Sequence, residues 1–130
     1  MNIKKLLPLT ISILVFSAAA WAQYGGKAEA NRVKFPRGSS SSTLIGTLSN
    51  GEEMEFVFAA RKGQRVMIRN TKPALFDIRV FSDELGLAND YNSSASFAVG
   101  LPEKGDYLLY VRKKPGIPPT GKFSVTLTVR

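Results

Sequence analysis

The stretch Phe56-Val57-Phe58-Ala59-Ala60-Arg61-Lys62-Gly63-Gln64-Arg65-Val66-Met67-Ile68 decides the fold. Phe56 and Phe58 alternate with smaller neighbours, and Val66 and Ile68 alternate with Arg65, Met67 and Arg69. That is a period of two, the mark of strands with one buried face. Between the halves, Gly63 can take a positive φ at little cost, as a tight reversal needs. The Gln64 amide that follows can bond loop backbone. The stretch therefore predicts a core β-hairpin whose tip carries Arg61 and Lys62, the first cations to consider for contact with a partner.

The same alternation recurs on both sides. Upstream, Arg32-Val33-Lys34-Phe35 predicts a short first strand, and Pro36 to Ser42 a loop. Thr43 to Leu48 predicts a second strand, with Leu44, Gly46 and Leu48 on one face, and Ser49-Asn50-Gly51 is a hairpin turn signal. Downstream, Leu75 to Phe81 sends Phe76, Ile78 and Val80 one way and Asp77 and Arg79 the other. Ser82 to Ser94 is the longest irregular stretch, and Ala95 to Val99 a short strand. Asp106 to Lys113 puts Tyr107, Leu109 and Val111 on one face and Leu108 and Tyr110 on the other. Phe123 to Val129 has the cleanest alternation, with Phe123, Val125, Leu127 and Val129 inward, and with the preceding strand it predicts a second hairpin across the loop Lys114 to Gly121. About eight short strands with no helix among them predict an all-β fold, a small antiparallel β-sandwich or compact barrel.

The N-terminus reads as an export signal. Lys4 and Lys5 precede the apolar run Leu6 to Phe16, and Ala20-Trp21-Ala22 fits a small-x-small cleavage site. The apolar run is short for a membrane span, so cleavage after Ala22 is expected, with no membrane association afterwards. Residues 1–22 are then the signal, 23–31 a flexible tail, and 32–130 a single domain. Cleavage lowers the net charge from +8 to +6, because Lys4 and Lys5 leave and no acid does. Outside the cytoplasm, the partners of a basic domain are acidic protein clefts, polysaccharides or lipid head groups and not nucleic acid. With no cysteine, stability has to come from packing and strand pairing alone.

Catalytic signals are missing. The chain has no histidine, no cysteine and no G-x-S-x-G elbow, so neither thiol nor triad chemistry is available, and zinc lacks its usual ligands. Glu52, Glu53 and Glu55 cluster, but Glu53 and Glu55 flank Met54 on an outward face, as a solvated strand edge would. Asp83, Glu84, Asn89 and Asp90 supply oxygens in one loop, yet their spacing matches no EF-hand, and the plain reading is a polar loop. No metal, cofactor or catalytic residue is assigned. The stronger signal is basic: Arg112-Lys113-Lys114 enters the loop Pro115-Gly116-Ile117-Pro118-Pro119-Thr120-Gly121, and Lys122 leaves it. The prolines limit the loop's freedom, so holding it against a partner costs less entropy. The bland alternative is a solvated strand connection. Tyr91 in the long loop and Tyr110 on the open face are the aromatic candidates for the same contact.

Taken in order, Val33-Lys34-Phe35-Pro36-Arg37-Gly38-Ser39-Ser40-Ser41, Gly46, Phe56 to Val66, Leu101-Pro102-Glu103-Lys104-Gly105-Asp106-Tyr107 and Phe123-Ser124-Val125-Thr126-Leu127 resemble the periplasmic inhibitors of goose-type (g-type) lysozyme. The aromatic-x-Phe-x-Ala-x-x-Gly-Gln skeleton is also similar to bacterial pre-peptidase C-terminal domains, non-catalytic modules of secreted enzymes that would bind envelope polymers or another exported protein. The inhibitor resemblance implies a β-sandwich whose loops plug the cleft of a g-type lysozyme, with a cation paired to the catalytic carboxylate there. By position it points to Arg112 and its neighbours. The chain departs from other lysozyme-inhibitor families in lacking a Ser-Gly-x-x-Tyr motif between Asp90 and Phe97, and its last loop is rich in proline.

Overall fold

Nine strands occur in residues 31–130, which are the residues that the computed structural model describes. The segment read as a signal, 1–22, and all but the last residue of the segment read as a tail, 23–31, lie outside them. The strands are β1 (Asn31–Arg32), β2 (Ser41–Ser49), β3 (Glu53–Ala60), β4 (Arg65–Asn70), β5 (Phe76–Ser82), β6 (Leu87–Ala88), β7 (Ser96–Gly100), β8 (Gly105–Lys113) and β9 (Thr120–Val129). They form a four-stranded sheet in the order β2-β9-β4-β7 and a five-stranded sheet in the order β1-β3-β8-β5-β6. All pairings are antiparallel except the short one between β1 and β3. The two sheets are separate, so the sandwich is the architecture and the barrel alternative falls. Asn31, assigned to the tail by sequence, is instead paired with Phe56. The first strand is Asn31–Arg32 and not Arg32 to Phe35, because Val33 is the last residue whose amide reaches β3, donating to Val57 O at 2.8 Å.

The predicted hairpins are not hairpins. β3 and β4 lie in different sheets, and so do β2 and β3, and β8 and β9. Turn residues dictate that the chain reverses, but not which strand receives the hydrogen bonds. Gly63 does take φ +88°, and the Gln64 Oε1 accepts from Arg61 N at 2.7 Å, as the turn chemistry requires. The turn is nevertheless stitched to a third segment: Gly63 N donates to Leu101 O, and Leu101 N donates to Gln64 O. Likewise the Ser49–Glu52 turn gives its edge to β8, with Gly51 N on Lys113 O and Lys113 N on Glu52 O. Each reversal is an arch across the core, and the faces that alternation marked as buried look at each other from opposite sheets.

The aromatic centre shows why the pairing is specific. Phe123 on β9 lies edge-on to Phe56 of β3 (ring centroids 6.3 Å apart) and Phe76 of β5 (5.7 Å), so it joins the two sheets. Its cross-strand partner in β2 is Gly46. A Cβ at position 46 would fall 2.7 Å from the Phe123 ring, which only a glycine avoids. At the other end Phe58 stacks on Tyr107, both fully buried. The Tyr107 hydroxyl accepts from Glu103 N at 3.0 Å and donates to Glu103 O, so the one polar atom of this core aromatic is satisfied within the β7–β8 turn. Replacing Gly46 by alanine should force the Phe123 ring out of its slot and cost about 1–3 kcal/mol. Urea denaturation would measure this, and an unchanged midpoint would show that the slot is not tight.

Candidate partner-binding face

The outer face of the five-stranded sheet is where the sequence candidates meet. Strand register places Glu53, Arg112 and Asp77 in one row across β3, β8 and β5, and Glu55, Tyr110 and Arg79 in the next. A backbone bridge between Ile78 and Asn92 lays the end of the long loop beside β5. Tyr91 thereby comes onto the same face and reaches across the first row.

The side chains there are interlocked. Arg112 donates from Nε to Asp77 Oδ1 at 3.1 Å and from Nη2 to Asp77 Oδ2 at 2.9 Å, a bidentate pair. The Asp77 side chain is only 8% exposed while that of Arg112 is 38% exposed, so the guanidinium covers the carboxylate and keeps one face toward solvent. The Arg112 guanidinium carbon stands 3.7 Å from the Tyr91 ring centroid, a cation–π contact. The Tyr91 hydroxyl donates to both oxygens of Glu53, at 3.0 and 3.2 Å. In the next row Phe81 stacks on Tyr110 at 5.2 Å, Arg79 lies 4.2 Å over Phe81, and Arg79 Nε donates to Asn89 O at 2.7 Å. Burial, helped by the hydrogen bond to Glu53, pushes the Tyr91 hydroxyl up to about 12. Burial and the hydrogen bond to Glu55 push Tyr110 up as well. The Asp77 hydrogen bonds hold Arg112 even more firmly in its charged form.

Beside this face the loop 114–119 projects from the end of the sandwich. Ile117 at its tip is 93% exposed, and among the described residues only Ile45, at 65%, is another large hydrophobic side chain left exposed. The base of the loop is held. Asn50 N donates to Pro119 O, Asn50 Nδ2 to Gly116 O at 3.1 Å, and Lys114 N to Leu75 O. From beneath, the Lys113 ammonium donates to Asn50 Oδ1 at 2.9 Å and to Lys114 O at 2.8 Å.

Lys113 thus corrects one expectation. It is not a solvent-facing cation but is fully buried, in line with Tyr107, Leu109 and Val111 on the inner face of β8. The period-two rule carried one step further would have placed it there. Because it sits at the strand's end, its ammonium reaches an amide oxygen and a carbonyl that would otherwise lack donors. Arg112, Tyr91 and Tyr110 do come together, and Lys114 is near them, its Nζ 3.3 Å from Ser93 Oγ. Lys122 lies elsewhere, opposite Thr47 on the outer side of the four-stranded sheet. Arg61 and Lys62 are at the far end of β3, beyond the Ala60–Gly105 pair, whereas Arg112 faces Glu53 at its start. The basic segments singled out from the sequence are therefore not one surface. Asp77 and Glu53 were missed as members of the site, since which outward acid meets which outward base depends on strand register.

Glu53 and Glu55 share one strand face and are each bonded to a tyrosine hydroxyl. Among the described residues no group of three or more potential ligands could hold a metal ion. Fold and face together define a β-sandwich with a braced loop beside an aromatic-ionic patch.

Solved structures with this fold carry a name. The chain is similar to PliG from Aeromonas hydrophila, a periplasmic lysozyme inhibitor of g-type lysozyme, with a TM-score of 0.64 and 17% identity over 78% of this chain and 96% of that one. PliG of Salmonella Typhimurium gives 0.63 and 21% identity over 80% and 100% of the two chains, and a mutant of Escherichia coli PliG gives 0.61 and 22% over 78% and 97%. No protein-family model and no curated protein sequence matches the chain.

The interlocked face predicts two measurable behaviours. Arg112→Met should leave the Asp77 carboxylate covered and unpaired, costing about 1–3 kcal/mol in urea denaturation, and Asp77→Asn in the same chain should recover part of the loss. Additive losses would show that the pair contributes nothing. For Tyr91, folding raises the hydroxyl from 10.0 to about 12, so its contribution to stability is complete below pH 10 and is lost as the pH rises from 10 towards 12. Tyr91→Phe should flatten that part of the stability–pH curve, and an unaltered slope would dismiss the effect.

Proposed function

We propose that the protein is a periplasmic inhibitor of a g-type lysozyme and acts by occupying the enzyme's cleft without doing chemistry itself. What carries this reading is the likeness in fold to three PliG structures over almost their whole length, 96%, 100% and 97% of those chains. The local geometry supports the same use. A protein plug needs a stiff projection with something to bury at its tip. The loop 114–119 offers Ile117 flanked by Pro115, Pro118 and Pro119, on a base tied down by Asn50 and Lys113.

The charges divide the work. Arg112 is already matched by Asp77, so it enters a contact as a fixed donor whose Nη1 hydrogens remain for a partner oxygen. Lys114 has a hydroxyl but no carboxylate among its contacts within the described residues, which leaves its charge for the acid in the cleft. Tyr91 and Tyr110 supply flat, partly exposed area with few torsions to freeze.

The test is lysis of cell walls by a purified g-type lysozyme in the presence of the protein. Inhibition at micromolar concentration or below is expected, and undiminished lysis at a large molar excess would end the proposal. Within it, Ile117→Asp should weaken inhibition by about tenfold or more while leaving the melting temperature unchanged, because the side chain touches little of its own fold. Full potency in that variant would move the contact away from the loop.

A further inference from the structure

The charges of the two sheets are segregated. The strands of the four-stranded sheet carry Arg65, Arg69 and Lys122 and not one carboxylate, while Glu53, Glu55, Asp77 and Asp106 all belong to the other sheet. The ion pairs among the described residues, Arg32–Asp106 and Arg112–Asp77, lie in that five-stranded sheet, where Arg32, Arg79, Arg112 and Lys113 balance the four carboxylates. The cations of the four-stranded sheet point outward and are exposed. Arg65 and Arg69 are four residues apart on β4, about 13 Å along one face. Arg65 is bonded through its backbone to Arg130, which extends the positive edge.

Met67 lies between Arg65 and Arg69, and on the neighbouring strands beside them the face carries short hydroxyl side chains in cross-strand rows, with Ile45 exposed among them. Ser41 and Thr128 hydroxyls are 2.7 Å apart, those of Thr43 and Thr126 3.4 Å, and Ser96 stands beside Arg69 on the far side. A shallow depression of about 720 Å³ runs over Met67 and Arg69 to Arg130. There it meets a groove of about 700 Å³ between Ser39, Ser40 and the Arg61–Lys62 turn. Arg130 belongs to both. The result is a basic track that starts at Arg61 and Lys62, passes Arg130 and reaches Arg69, with Arg65 at its edge, bonded through its backbone to Arg130.

We propose that this track binds a linear anionic polysaccharide, through spaced carboxylate or phosphate groups on the arginines and sugar hydroxyls on the serine and threonine rows. Unpaired cations at intervals, with hydroxyls between them, complement a chain that alternates charge and hydroxyl. Nucleic acid is a poorer fit, since Phe97, which lines the depression, is half-buried against the core and the outward positions of these strands carry no aromatic side chain, so no row of rings is offered for stacking bases. The track is on the opposite sheet from the Tyr91–Arg112 face, so it is a second site and does not depend on lysozyme inhibition.

Titration calorimetry with alginate, a linear polyuronate, and with neutral dextran of equal length tests it. Alginate should bind, weaken as salt is raised, and lose about tenfold or more in affinity in Arg65→Glu/Arg69→Glu. Arg65→Ala/Arg69→Ala should show a smaller loss. Arg79→Glu/Lys114→Glu, with the same change in net charge but on the five-stranded sheet and the loop that follows β8, should bind alginate nearly as the natural chain does. Lysozyme inhibition should be untouched by the Arg65/Arg69 changes. Equal losses in the two charge-reversed proteins, dextran bound as well as alginate, or single-stranded DNA bound more tightly than either would each overturn the assignment.

Discussion

The contact on which the structure depends is the one that Phe123 makes across the sandwich. One ring belongs to the four-stranded sheet by its backbone and to the other by its packing, edge-on to Phe56 and Phe76. Gly46 opposite leaves the room, since any side chain there would occupy the ring's own space. Because nearly every connection passes from one sheet to the other, the sheets have few hairpins to hold each strand to its neighbour in sequence. Cross-core packing has to do that work, and a close-packed interior tolerates neither a gap nor an extra methyl group at its centre.

The end of the sandwich that bears the loop 114–119 is an outgrowth of that core. Lys113 continues the inward row of β8, yet its ammonium ends among polar groups of the Ser49–Glu52 turn and the following loop. The burial of an ammonium is tolerated only with donors matched to acceptors, and here the acceptors are the groups that fix the loop's position. The same residue therefore closes the core and stiffens the projection bearing Ile117. On the outer face, Arg112 next to it in sequence does the complementary job and binds Asp77 beneath the Tyr91 ring. Alternation along a single strand sends one cation to structure and the next to the surface.

The two outer faces differ in kind. On the five-stranded sheet every charge is answered by a neighbour, which favours a fixed shape over a strong field. On the four-stranded sheet the cations have no carboxylate partner among the described residues, which favours a field over a fixed shape. A protein cleft is met by the first sort of surface and a flexible anionic chain by the second. The division also explains why the summed charge was a poor guide to the site: the excess of positive charge gathers on the face away from the braced loop.

Much of this was legible in order along the chain. The alternation of Phe123 to Val129 told which residues are buried, and the glycine at 63 told where the chain turns, because these are properties of the strand and turn themselves, whereas Val57 between Phe56 and Phe58 is buried along with them. The sequence also placed Arg112, Tyr91 and Tyr110 outside the core and on or near the loops, and its motifs pointed to the fold. Partnership was not legible. Whether Phe56 and Val66 sit side by side in one sheet or face each other from two, which acid meets Arg112, and whether the basic segments make one patch or two are set by register between strands far apart in sequence. The tertiary structure decided those. A period of two marks a buried face without saying what buries it, and only the packing of one sheet on the other supplies the second half of each contact.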